Sequence, residues 1–181
     1  MLAVLRQTFF ILLLALGLFP ANAHLQESRE YLLKAAFLYN FAKFVEWPAD
    51  SFKNESAPIH LVILGPDPFG SALETIREKS VKGRKLVIKR ISRIENLEDC
   101  HLLFISASEK NQIRAILNTL RGNSILTISD LEKFTHLGGI IGLITLDNKI
   151  RFEINLEVAQ RNRLKISSEL LELAKIVRSG S

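Results

Sequence analysis

The residues that could do chemistry in this chain are four histidines, one cysteine and a proline-rich turn between Gly65 and Gly70. His24, His60, His101 and His136 form no pair at metal-ligand spacing, and the single Cys100 cannot build a thiolate zinc site alone. His60 and His101 fall in or at the start of apolar runs, where an imidazole reads first as an edge or core residue. No Gly-x-Ser-x-Gly elbow is present to present a nucleophilic serine. Gly65 and Gly70 flank a strand-to-helix turn of the kind that holds phosphates. The lysine and serine or threonine of such a loop are missing, as is the dinucleotide glycine spacing. Pro66 and Pro68 also lack the amide hydrogens that a phosphate cradle uses. The turn leaves Asp67 and Ser106 open as small-molecule contacts, because open α/β sheets bind ligands beyond the carboxyl ends of their strands. The expectation is a protein without catalytic residues, metal or cofactor.

Two further stretches suit recognition rather than reaction. In "RFEIN", residues 151–155, alternation places Phe152 and Ile154 on one face of a strand and Arg151, Glu153 and Asn155 on the other. Arg151 and Glu153 read as a solvated ion pair or as part of a polar patch for a partner. In "KAAFLYNFAKFVEWP", residues 34–48, helical geometry at about 100° per residue puts Phe37, Phe41 and Phe44 on one face. Tyr39 falls on the far side, beside a mainly polar strip of Arg29, Ala36, Asn40 and Lys43. The phenylalanine stripe needs only a core. The second region fits burial under C-terminal helices or an interface with a partner or second copy, where tyrosine and tryptophan are favoured anchors.

The elements that must position these residues are legible from punctuation. Residues 28–45 read as a helix capped by Ser28 and ended before Pro48. Strands are expected at 58–64, 85–91, 101–105 and 124–129. A helix follows the Asp67–Pro68 turn, and another follows Ser106 and Glu109, which stand at capping-box spacing. A short helical segment is expected near 131–134. Residues 140–145 and 149–155 form a hairpin across Leu146, Asp147 and Asn148. Helices at 156–163 and from Ser167 onward close the chain, the last with Leu170, Leu171, Ala174 and Val177 on one stripe. This order predicts one α/β domain, a three-layer sandwich. Its sheet is mostly parallel with a C-terminal antiparallel hairpin, and helices flank it.

The first residues are a different matter. A positive start at Arg6, an apolar run broken by Pro20, and Ala21-Asn22-Ala23 have the order of a secretory signal peptide cleaved after Ala23. Residues 24–181 then form the single domain, with net charge falling from +5 to +4 as Arg6 leaves. The basic residues are spread out, and export argues against nucleic acid as a partner. In an oxidising compartment Cys100 is either buried or paired with another molecule.

"YLLKAAFLYNFAKFVEWP", "CHLLFIS", "ILTISD", "GGIIGLIT", "KIRFEIN" and "LKISSELLELAKIV" together resemble the YfiR family, in its order and spacing, from about residue 29 to 177. The resemblance implies a periplasmic regulatory protein that represses an inner-membrane diguanylate cyclase and so controls cyclic-di-GMP and biofilm. A module sensing a small ligand for a membrane cyclase or sensor kinase is the alternative. The partner implied is the periplasmic domain of such a protein, with a homodimer also open. The contact residues expected are Tyr39, Asn40, Lys43, Trp47, Arg151, Glu153 and Asn155. Two departures stand out. Disulfide pairs of some members cannot be carried over to a chain with only Cys100. Arg163 stands where the family has glycine, so a junction of different shape is expected there.

Overall fold

The computed structural model describes residues 21–147 and 149–178. In chain order the elements are α1 (Ala21–Phe44), β1 (Val45–Glu46), β2 (Ile59–Leu64), α2 (Glu74–Arg77), β3 (Ser80–Val81), β4 (Arg84–Ile91), β5 (Leu102–Ile105), α3 (Ile113–Thr119), β6 (Leu126–Ser129), β7 (Ile141–Leu146), β8 (Lys149–Asn155), α4 (Leu156–Arg161), β9 (Lys165–Ile166), α5 (Ser168–Glu172) and β10 (Lys175–Val177). The signal peptide expected at the N-terminus lies outside the described residues except for its last three. Among the described residues no helix is long and apolar enough to cross a membrane.

Eight strands form one sheet in the order β10-β8-β7-β6-β5-β2-β4-β3. The pairs from β4 to β7 run parallel, with Leu61 facing Ile88 on one side and Leu102 on the other. The β7–β8 hairpin is antiparallel as expected, pairing Ile141 with Ile154 and Leu146 with Lys149. Continuous apolar runs such as "IHLVIL" and "LLFI" suit central strands covered on both faces. Leu61, Ile63, Leu102 and Phe104 join the core beneath α1 and α2. Their neighbours Val62, Leu64, Leu103 and Ile105 join a second core beneath α3, with Ile113, Ile116 and Leu120. This is the three-layer α/β sandwich.

Helix α1 touches both flanks of the sheet. Phe37 and Phe41 meet the Phe152 ring of β8 at 5.6 and 5.2 Å between centroids. Two residues along from Phe37, the Tyr39 hydroxyl donates to the Ser80 carbonyl of β3 at 3.1 Å. In a flat sheet β8 and β3 would stand roughly 29 Å apart, six strand spacings. A helix about 10 Å across can reach both only if the sheet curls around it. The fully buried side of α1 is therefore Ala35, Leu38, Phe41 and Ala42, with Phe37 and Phe44 half-buried on one flank and Tyr39 on the other. Only Phe41 of the expected phenylalanine stripe sits at the centre of the core.

Several local expectations are corrected. Ser28 lies inside α1 and does not cap it. Ser106 and Glu109 form no capping box: Ser106 Oγ accepts from Ser108, and the helix they were expected to start opens instead as a 3-10 turn. Residues 131–138 make successive turns, not a helical segment. The last helix stops at Glu172, and Lys175–Val177 becomes the edge strand β10, parallel to β8. The β8 edge needs partners for its backbone groups, and this outweighs the helical spacing of Ala174 and Val177. Sequence reasoning also missed a two-stranded sheet, in which Val45 pairs with Ile166 and Glu46 with Lys165.

The Arg163 junction keeps the shape that glycine would give it. Arg163 has φ 58°. Its amide donates to Gln160 O at 2.9 Å and the Leu164 amide to Ala159 O at 3.0 Å, the two bonds of a Schellman ending for α4. Leu164 is buried behind it, and the Arg163 guanidinium pairs with Asp50. Both Arg163→Gly and Arg163→Ala lose that exposed pair, but only glycine relieves the left-handed backbone. In thermal unfolding the glycine variant should melt above the alanine variant; equal melting would show that the junction carries no strain.

Gly139 is constrained by space. A Cβ there would stand 2.1 Å from Cε1 of the buried Phe134 ring. Overpacking of this kind costs about 2 kcal/mol. Gly139→Ala should accordingly lower the urea midpoint, and lower it less when it is introduced into a Phe134→Leu background.

Candidate functional site

The residues expected to form a contact site divide between the two faces of the sheet. Tyr39, Asn40 and Lys43 lie on the outer parts of α1. The Lys79 and Lys43 ammonium groups approach the Tyr39 ring at 4.9 and 5.7 Å from its centroid. Arg151, Glu153 and Asn155 point to the other face of β8, because Phe152 and Ile154 face α1. The two groups cannot make one flat surface.

Of these three hairpin residues, only Arg151 is exposed. Glu153 is buried and does not pair with Arg151 as a solvated ion pair. Its carboxylate accepts from Thr135 Oγ1 at 3.0 Å and from Lys175 Nζ of β10 at 2.8 Å. Burial opposes ionisation of Glu153, but the Lys175 and Thr135 hydrogen bonds prevail and its pKa is lowered. Asn155 is fully buried and caps α4: its Oδ1 accepts from the Val158 amide at 3.1 Å, and its Nδ2 donates to Thr135 O at 3.0 Å. Both side chains spend their capacity inside the chain, holding the 135 turn, β8, β10 and α4 together.

Trp47 belongs to a third place. Its Nε1 donates to the His101 carbonyl at 3.2 Å, and its ring meets the His101 ring edge-on. His101 is enclosed. Phe52 stacks on it at 4.5 Å, and Arg84 covers the other side of Phe52 at 3.9 Å. His101 Nδ1 accepts from the His60 amide at 3.2 Å, and Nε2 stands 3.1 Å from Ser51 O. Since a backbone amide can only donate, Nδ1 is unprotonated and Nε2 carries the hydrogen. Burial lowers the pKa of His101 and of neighbouring His60. The ring is a neutral bracket joining the end of α1, the 49–52 turn and β2. The thiol of Cys100 next to it donates to Leu102 O at 3.3 Å, and burial pushes its pKa up, so it is un-ionised at neutral pH.

One polar network went unread in the sequence. Lys34 is buried, with Nζ 2.6 Å from Asp130 Oδ2 and 2.7 Å from Glu30 Oε1. The Tyr31 hydroxyl donates to the same Asp130 oxygen at 3.0 Å. Burial and the Asp130 charge push the Tyr31 pKa up to about 12. Burial opposes the charge on Lys34, yet its hydrogen bonds to Asp130 and Glu30 keep its pKa raised. The helical projection held the signal, since Lys34 lies seven residues before Phe41 on the same face. The network fastens α1 to the carboxyl end of β6. Its members satisfy one another, and no nucleophile stands beside a free base in it. Among the described residues, no three His, Cys, Asp or Glu side chains are grouped to hold a metal ion.

The histidine bracket has a pH signature. His60 and His101 bind protons more weakly folded than unfolded, so the unfolded chain takes up more protons as the pH falls. Their contribution is complete above the ordinary histidine value of about 6.5 and is lost as pH falls through it toward the folded values. The melting temperature should fall between about pH 7.5 and 5.5, before carboxylates titrate. In His101→Asn, whose amide oxygen can still accept from His60, this slope should be shallower; an unchanged slope would assign the effect elsewhere.

The family model described as YfiR/HmsC-like matches residues 31–175, which runs from within α1 to the start of β10.

Proposed function

The chain belongs to the YfiR/HmsC-like family, and on that footing we propose that it is a non-enzymatic periplasmic protein repressing an inner-membrane diguanylate cyclase. Such a repressor lowers cyclic-di-GMP synthesis, and with it biofilm, by binding one state of the cyclase's periplasmic domain more tightly than the other. Export with cleavage after Ala23 belongs to the same reading.

The outward strip of α1 carries this proposal. Arg29, Leu32, Leu33, Ala36, Asn40 and Lys43 fall within about 100° of one another around the helix. Leu32 and Leu33 are 43% and 48% exposed, with Arg29 and Lys43 exposed at the ends. An apolar centre with a polar rim suits a partner interface. Asn40, Lys43 and the edge of Tyr39 are contact residues in this reading. Trp47, Glu153 and Asn155 support the frame, and Arg151 offers a separate contact on the opposite face.

Crosslinking in intact cells followed by purification from the envelope tests the proposal. The wild-type chain should recover a membrane protein bearing a cyclase domain, and Leu33→Asp and Lys43→Glu should each reduce recovery while leaving the melting temperature unchanged. Recovery of a sensor kinase in its place would redirect the reading to that partner. Recovery of no membrane signalling protein would sink it.

A further inference from the structure

We infer that the cleft between the 51–58 loop and the imidazoles of His60 and His101 binds a small monocarboxylate. The cleft holds about 240 Å³, whereas one water needs only about 15 Å³. It lies at the amino ends of β2 and β5, away from the α1 strip, and does not depend on which protein the chain regulates.

Two residues that line it, Ser51 and His60, each carry a buried polar atom, Ser51 Oγ and His60 Nδ1, that has no hydrogen-bond partner among the described residues and that a turn of the side chain would bring to the cleft. Buried polar atoms are nearly always paired, so two in one wall point to an outside partner. His101 cannot be that partner's ligand, because both of its ring nitrogens are engaged. Ser51 and His60 can each donate, the serine through its hydroxyl and the histidine through the Nδ1–H tautomer. Two donors match the two oxygens of a carboxylate.

The surrounding charge selects the sign. Lys53 and Asp99 pair at the cleft at 2.8 Å. Lys89 adds its field at His60, and Arg84 at His101. Three cations against one carboxylate favour an anion. The body of the ligand would lie against Ala57, Pro58 and the edge of Phe52, both faces of which are covered by His101 and Arg84. An anion beside His60 stabilises its protonated form, so binding should tighten as the pH falls.

The test uses the full mature chain with sodium benzoate as probe and benzamide as its neutral counterpart, at matched ionic strength. Benzoate should raise the melting temperature and benzamide should not. Calorimetric affinity should be higher near pH 5.5 than near pH 7.5, because His60, its pKa lowered by burial, takes up its proton only below the ordinary histidine value while benzoate stays ionised. Ser51→Ala and His60→Phe should each weaken binding about tenfold, the loss expected for one hydrogen bond to a charged group. If His60→Phe fails to fold, amide chemical-shift changes on the wild-type chain serve instead, expected at Ser51, Lys53 and His60. Equal binding of benzamide, shifts confined to another region, or no effect of benzoate at any concentration overturns the inference; the last is the result if water alone fills the cleft.

Discussion

The seating of α1 inside the curled sheet is the constraint on which the other elements depend. One helix meets Phe152 of β8 and Ser80 of β3, strands that a flat sheet would hold far apart. The curl makes a concave face deep enough to bury Ala35, Leu38, Phe41 and Ala42 together with the Lys34 ammonium. Burying that charge is tolerable only because Asp130 and Glu30 both reach it. The far end of the helix is fixed as firmly, by pairing with β9 and by Trp47 on the His101 carbonyl. Three unlike devices, an ion network, aromatic packing and a short sheet, fix the start, middle and end of one helix.

The central strands were legible because they are covered on both faces. "IHLVIL" and "LLFI" leave no alternation to misread, and the hairpin across residues 146–149 follows from alternating residues on both sides. The errors fall where short elements depend on distant partners. "KIV" has the spacing of a helix, and only the open edge of β8 makes it a strand. Val45–Glu46 and Lys165–Ile166 are too short to announce themselves as strands without each other. Arg163 takes a conformation it disfavours because the Schellman bonds and the buried Leu164 determine the path of the chain on both sides of it.

The candidate contact residues divide by the same logic. Residue type suggested that Glu153 and Asn155 were surface polar groups. Their burial depends on Thr135 and Lys175, which no local pattern connects to them. Lys34 could be placed on the buried face by angle alone, but Asp130, 96 residues later, could not be named as its partner. What remains outward on α1 is narrow and mixed, with two leucines between basic ends. The imidazoles lie elsewhere, at the amino ends of the strands. The proposed protein contact and the proposed carboxylate cleft therefore have separate places on this fold.

The position of α1 at the start of the chain also has a consequence for how the protein is made. Its partners Asp130 and Phe152 come late in the sequence, and a chain is synthesised from its N-terminus. Until β8 has emerged, the concave face is incomplete, and Phe37 and Phe41 lack the Phe152 ring that covers them. Contacts of such long sequence separation form slowly, after much chain entropy has been lost. The segment that most strongly defines the finished fold is thus among the last to be fully covered, and until then Phe37 and Phe41 are open to other apolar surfaces.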